Sequence, residues 1–239
     1  MLFKGSDYRI IGNDIVIFLH IPKTGGVSVH KLLEKVYKER YFRHSQTKKE
    51  LWQNLTYTDI SAIKCISGHL KFGVHRKMRR SAKYITIVRD PIERVVSLFH
   101  QKEKRKQRIC PSFNEKYTID SWVNEQLDQM EKKFYTQCEI ISGKNNFKIA
   151  KSVLNLNYLC YCDISQADEM ANFLLDKLDV KDSIKLDKVN VRPDYIEKKH
   201  PSDITLTRLK SFFSEDFKLV EFCSSEFEKV KLNSPEFKQ

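Results

Sequence analysis

The sequence predicts an α/β protein: three layers, with a central parallel β-sheet flanked by helices and a mostly helical second half. Three observations carry that expectation. Short β-branched runs, "IVIFL" at 15–19 and "YITIV" at 84–88, alternate with stretches whose apolar residues recur at helical spacing, and such alternation implies parallel strands joined through helices. Both runs pass directly into a helix through a turn, one rich in glycine and one carrying Asp-Pro. The 239 residues contain only seven glycines and six prolines, with no repeat or Gly/Ser/Pro linker. Residues 1–239 are therefore expected to form a single domain with one substantial core.

Taken in order, the first strand is expected at 15–21 and the first helix at 27–39, where Val29, Leu32, Leu33 and Val36 share one face. A Thr47/Glu50 capping box opens a short helix. Strands at 63–67 and 84–89 follow. A helix at 91–106 starts with Asp90 as cap and Pro91 at its first position, and buries Ile92, Val95, Val96 and Phe99. The second half holds helices near 119–133, 134–142, 166–178, 203–213 and 215–230. Its one strand candidate is "YLCYC" at 158–162, with Ser165 and Ser202 as N-caps and "KLDKVNVRPDY" (185–195) as the main loop.

Composition narrows the ligand class. Lys plus Arg number 43 against 31 Asp plus Glu, a net charge of +12, which favours anionic ligands without choosing among nucleotides, acidic glycans, nucleic acid and lipid headgroups. The six cysteines lack CxxC pairs and zinc spacing, so they read as reduced or buried thiols. An Asn-x-Thr triplet at Asn54 matters only in a secretory compartment. The chain has no apolar run of ~18 residues. A cytoplasmic location is expected, with the Golgi lumen as the alternative for a fragment separated from an anchor.

Two motifs carry the chemistry. "HIPKTGGVS" (20–28) is a strand-to-helix turn with two glycines, a lysine and two hydroxyls; the free N–H groups of such a turn bind anions. In "YITIVRDPIERVVSLFH" (84–100), Arg89 stands at the carboxyl end of a strand and Ser97 on the helix that follows. Ligands of open parallel sheets sit at that edge. Two anion-reading turns on one edge suggest a ligand with two separate phosphates.

These motifs resemble the 5′- and 3′-phosphate-binding motifs of sulfotransferases that use 3′-phosphoadenosine 5′-phosphosulfate (PAPS). The likeness is to the carbohydrate branch that includes heparan sulfate 2-O-sulfotransferase and its bacterial relatives. "ISGHLKFGVH" (66–75) resembles that branch's Gly-His segment, and "FYTQCEIISG" (134–143), "NVRPDY" (190–195) and "DFKLVEFC" (216–223) resemble weaker landmarks. The resemblance implies PAPS as donor and a glycan or glycolipid as acceptor. The fold expected with it is P-loop-like; no metal, no nucleic-acid partner and no membrane span are expected.

The residue chemistry agrees. Lys23 meets charge growing on the leaving phosphate, by analogy with loose phosphoryl transfer, and does the neutralising that Mg²⁺ does in kinases. The N–H groups of Thr24, Gly25, Gly26 and Val27, with the hydroxyls of Thr24 and Ser28, are expected to cradle the 5′-phosphate. Arg89 and Ser97 take the 3′-phosphate, and Arg192 approaches the nucleotide from the late loop. Val27 stands where the family often has Thr or Ser, so one hydroxyl contact is lost. His69 is the candidate general base that the resemblance implies; His20 and His75 read as structural or near the acceptor. The runs "HRKMRR" (75–80) and "QKEKRKQR" (101–108) are either solvated faces or attractors of an acidic glycan.

Two other functions fit the same residues less well. A P-loop small-molecule kinase shares the phosphate cradle, but the chain lacks GxxxxGK[ST] and a clear Mg²⁺ partner. A non-catalytic basic module binding glycan or nucleic acid would have no use for Lys23 and His69 together.

Overall fold

The computed structural model describes residues 14–44, 61–109, 118–128, 134–178 and 199–233. Five strands form one parallel sheet: β1 (Ile15–Leu19), β2 (Tyr41–His44), β3 (Cys65–Gly68), β4 (Ala82–Val88) and β5 (Tyr158–Asp163), in the order β2-β3-β1-β4-β5. The helices are α1 (Gly26–Tyr37), α2 (Pro91–Ile109), α3 (Ile119–Asp128), α4 (Gln137–Ser142), α5 (Phe147–Asn157), α6 (Ala167–Lys177), α7 (Asp203–Phe212) and α8 (Ser214–Asn233).

β1 is central, and its alternate side chains enter two cores, so every residue of it is buried and its sequence reads as an unbroken apolar run. Ile15, Ile17 and Leu19 face α4, α5 and part of α8, while Val16 and Phe18 face α1 and α6. This places helices on both faces of the sheet, as expected. Each such buried side chain contributes roughly 1.5–3 kcal/mol relative to exposure. A third cluster, built on Val95, Phe99, Trp122, Phe134, Leu209 and Phe213, packs α2 against α3 and α7.

The chain leaves β1 for β2 on one side, returns through β3, and crosses to β4 on the other side. That reversal opens a crevice at the carboxyl end of β1. The buried Thr86 hydroxyl on β4 donates to the Leu19 carbonyl at 2.8 Å, which satisfies the last acceptor of β1 where the chain turns away.

Several elements differ from expectation. β2 ("YFRH") and α5 ("FKIAKSVLNLN") were not expected. The helix expected from 134 starts at Gln137, because the Thr136 hydroxyl caps it by accepting from the Glu139 N–H. Asp163, not Ser165, caps the turn after β5, in a capping box with Gln166; the Ser165 hydroxyl donates to the Asp163 carboxylate instead. Asp90 and Ser202 do cap, accepting from the Glu93 and Thr205 N–H groups. The Thr47/Glu50 box, Asn54 and the 185–195 segment lie outside the described residues. Five of the six cysteines are described, all free and buried.

Candidate active site

All five strands are parallel, so their carboxyl ends share one edge of the sheet, and the segment after β1 lies in the middle of it. Lys23 has φ 73° and Gly25 φ 78°, both left-handed, and this double reversal delivers the chain into α1. Gly25, the N-cap of α1, has no side chain with which to cap the helix, and the N-terminus of a helix favours an anion. Gly26 is dictated by close approach: a Cβ there would lie 2.2 Å from Cδ2 of the buried His20 ring. Thr24 is fully buried, and its hydroxyl donates to the Ile21 carbonyl at 2.9 Å. That hydroxyl, expected to meet a phosphate, instead closes the turn, because a three-residue reversal leaves the Ile21 carbonyl in need of a donor. Val27 and Ser28 are half-buried on the first turn of α1.

Arg89 follows β4 directly. Its guanidinium donates to the Lys23 carbonyl at 3.1 Å and to Glu93 at 3.4 Å, so the two motifs read separately in the sequence touch. Ser97 lies half-buried on α2. Burial, followed by the charges of Arg89, Lys104 and Arg105, holds the Lys23 ammonium below its usual value. The positive charges in the middle of the basic run on α2 thus bear on Lys23. Arg192 lies outside the described residues.

On the other flank, His69 follows β3 and is solvent-exposed. Its ring lies 4.7 Å, centroid to centroid, from that of His20. Gly68, before it, has no room for a side chain, since a Cβ would sit 2.4 Å from the His44 carbonyl. Beneath lies a buried polar network. His20 Nδ1 and His30 Nε2 are hydrogen-bonded at 2.9 Å, His30 Nδ1 meets Ser67 Oγ at 2.7 Å, and Tyr41 closes on both His30 and Ser67. Burial first, then neighbouring positive charge, pushes His20 down to about 2 and His30 to about 3, and both stay neutral. His69 is also held below its usual value, by partial desolvation and then Arg43 and His44. His75 bonds to the Tyr84 hydroxyl at 2.7 Å, away from this network.

A cleft of about 350 Å³ opens beside the turn, lined by Pro22, Arg94, Lys102, Arg105, Trp122 and Tyr135 among others. The Lys71 ammonium, two residues beyond His69, sits 4.6 Å from the centre of the Tyr135 ring, which links the cleft to the His69 loop. Arg94 Nε and Trp122 Nε1 are buried without a hydrogen-bond partner among the described residues, so donors on two residues that line the cleft are unspent. Sequence reasoning missed Trp122, Tyr135 and His30, for no local pattern separates them from ordinary core residues. No group of three or more His, Cys, Asp or Glu suited to a metal ion occurs among the described residues. None of the described helices is long and apolar enough to cross a membrane.

Over 158 residues the chain is 25% identical to heparan-sulfate 6-O-sulfotransferase 2 of Homo sapiens, a match covering 51% of this chain and 26% of that protein; the Mus musculus protein matches equally. The chain thus spans about a quarter of the length of these curated relatives. The crystal structure of mouse sulfotransferase SULT7A1 complexed with PAP aligns at 13% identity with a TM-score of 0.47, covering 84% of this chain and 64% of that one. Residues 6–222 match the Sulfotransferase family. With that match running across nearly its whole length, the chain belongs to the sulfotransferase family.

Proposed function

We propose that this chain, acting as one domain over residues 1–239, transfers a sulfonate group from PAPS to a hydroxyl of an acceptor, a carbohydrate or glycolipid. The observation that carries the reading is the contact between the two anion-reading turns: Arg89 bonds to the Lys23 carbonyl at the switch point of the sheet. Two positive sites joined at one edge suit a nucleotide with phosphates at both its 5′ and 3′ positions.

PAPS supplies the activated sulfonate. The turn into α1, with the N–H groups of Thr24, Gly25, Gly26 and Val27 and the Ser28 hydroxyl, and with the Thr24 hydroxyl closing the turn, would hold its 5′-phosphate. Lys23 would neutralise the charge that grows there as the sulfonate leaves. Arg89 and Ser97 would hold the 3′-phosphate, with Arg192 as a further contact. His69, neutral near pH 7 and open to solvent, would take the proton of the attacking hydroxyl. The cleft beside Pro22 joins aromatic faces to cationic side chains, a lining suited to a sugar ring bearing acidic groups. The names of the heparan-sulfate relatives support that acceptor class.

An acceptor screen with labelled PAPS over acidic and neutral glycans, glycolipids and small alcohols tests the reading. Label on a carbohydrate or glycolipid is expected. Label on none of the acceptors, by a protein that still binds glycan, would favour a binding module; use of ATP in place of PAPS would favour a kinase.

A further inference from the structure

We propose that Gln137 is the positioning residue of the Arg89 site, fixing the arginine's main chain through both ends of its own side-chain amide. This rests on the assignment of Arg89 to the 3′-phosphate. Arg89 is the first residue past β4, where pairing with β5 ends at Val88. There the Arg89 N–H donates to Gln137 Oε1 at 3.0 Å, and Gln137 Nε2 donates to the Arg89 carbonyl at 2.7 Å. A primary amide presents one donor and one acceptor much as a peptide group does, so Gln137 stands in for the strand partner that Arg89 lacks.

Gln137 is itself held from behind. It is fully buried at the start of α4, and the first two N–H groups of that helix, from Gln137 and Cys138, donate to the Asp216 carboxylate at 2.7 and 2.9 Å. Asp216 is buried on α8, with the buried Arg94 as its counter-charge. A continuous path therefore runs from α8 through the α4 terminus and the Gln137 amide to Arg89, and from its guanidinium to the Lys23 carbonyl. A buried amide is costly unless both ends are paired, and both ends here are spent on the main chain of one residue. Holding that main chain limits how far the guanidinium drifts, and a clamp of this kind contributes to affinity by reducing the ordering cost on binding.

The test is calorimetric titration of the full chain with adenosine 3′,5′-bisphosphate and with adenosine 5′-monophosphate, which differ only by the 3′-phosphate. Gln137→Met removes both hydrogen bonds at similar volume; Gln137→Asn keeps the amide but is one methylene too short. Whichever variant folds carries the test. Bisphosphate affinity is expected to fall about fivefold or more with monophosphate affinity unchanged, and Gln137→Met is expected to add nothing in an Arg89→Ala background. A wild-type preference that Arg89→Ala erases but the Gln137 variants keep would overturn the clamp and leave the Arg89 reading standing. Equal weakening of both nucleotides would overturn it in favour of a general core role. No preference in the wild type would overturn the Arg89 reading and the clamp with it.

Discussion

The Arg89 guanidinium donates to the carbonyl oxygen of Lys23 at 3.1 Å, and Lys23 holds a left-handed backbone with φ 73°. A non-glycine residue in that region costs about 1–2 kcal/mol and persists only when its surroundings hold it. The arginine of one motif thus restrains the strained lysine of the other. Arg89→Ala is expected to erase the preference for adenosine 3′,5′-bisphosphate over ADP, more than tenfold in the wild type, since a charge-assisted contact is worth about 1.5–3 kcal/mol. Calorimetry that finds the two nucleotides equal in the wild type would remove the 3′-phosphate assignment.

Lys23→Ala should separate binding from turnover. The charge is needed most as the leaving phosphate forms, so turnover is expected to fall by orders of magnitude while bisphosphate affinity weakens only moderately. Near-normal turnover in the variant would reduce the segment to a structural turn.

His69→Ala should leave bisphosphate affinity nearly unchanged and lower turnover by ~10²–10⁴-fold. The pH–rate profile of the wild type follows from the sign of the shift. The active form is the neutral imidazole, and its pKa is held below 6.5 by desolvation and by the Arg43 and His44 charges. Activity is therefore expected on a plateau above pH 6.5 and lost as the pH falls through the shifted value. A variant with full turnover at saturating acceptor would assign the base elsewhere.

Gly26→Ala would bring a methyl within 2.2 Å of the His20 ring. The ring is buried and tied to His30 at 2.9 Å, so it yields at the expense of that bond. A loss of roughly 1–3 kcal/mol in stability is expected, the range for overpacking, together with weaker nucleotide binding. Urea unfolding and titration of the same preparation check both; a variant with wild-type values in each would show that the turn has room to spare.

Acid should destabilise the fold well above the carboxylate range. His20 and His30 titrate at about 2 and about 3 when folded, against ~6.5 in the unfolded chain. Their folded values are depressed, so their contribution is complete above pH 6.5 and declines as the pH falls, because only the unfolded chain takes up the protons. Each should remove roughly 2 kcal/mol by pH 5. Urea midpoints at pH 7.5 and pH 5.0 measure this, and equal midpoints would mean that the pair is hydrated and able to charge.

Some elements were not legible because they exist only through partners. β2 is four residues of mixed polarity at the sheet edge, and "YFRH" becomes a strand by pairing with β3, Tyr41 opposite Cys65. α5 did offer a signal, with Asn146 accepting from the Ile149 N–H and Ala150 and Leu154 buried on one face, but it runs without a break into β5 at Tyr158, and that junction hid it. Ser165 stood two residues from the true cap, Asp163, and both types suit the position.

By itself the sequence determined the central strands, the two turns and the helices after them. Those features rest on chain neighbours: short β-branched runs, apolar residues at period 3.6, an aspartate before a proline, paired glycines in a tight turn. Tertiary structure alone decided which turns meet. Arg89 reaches Lys23 across 66 residues of chain and Gln137 clamps Arg89 across 48, while His20, His30 and Ser67 join from the turn after β1, from α1 and from β3. Such pairings follow from the strand order, which sets the loops that share an edge, and that order is settled by the packing of the whole core rather than by any local stretch.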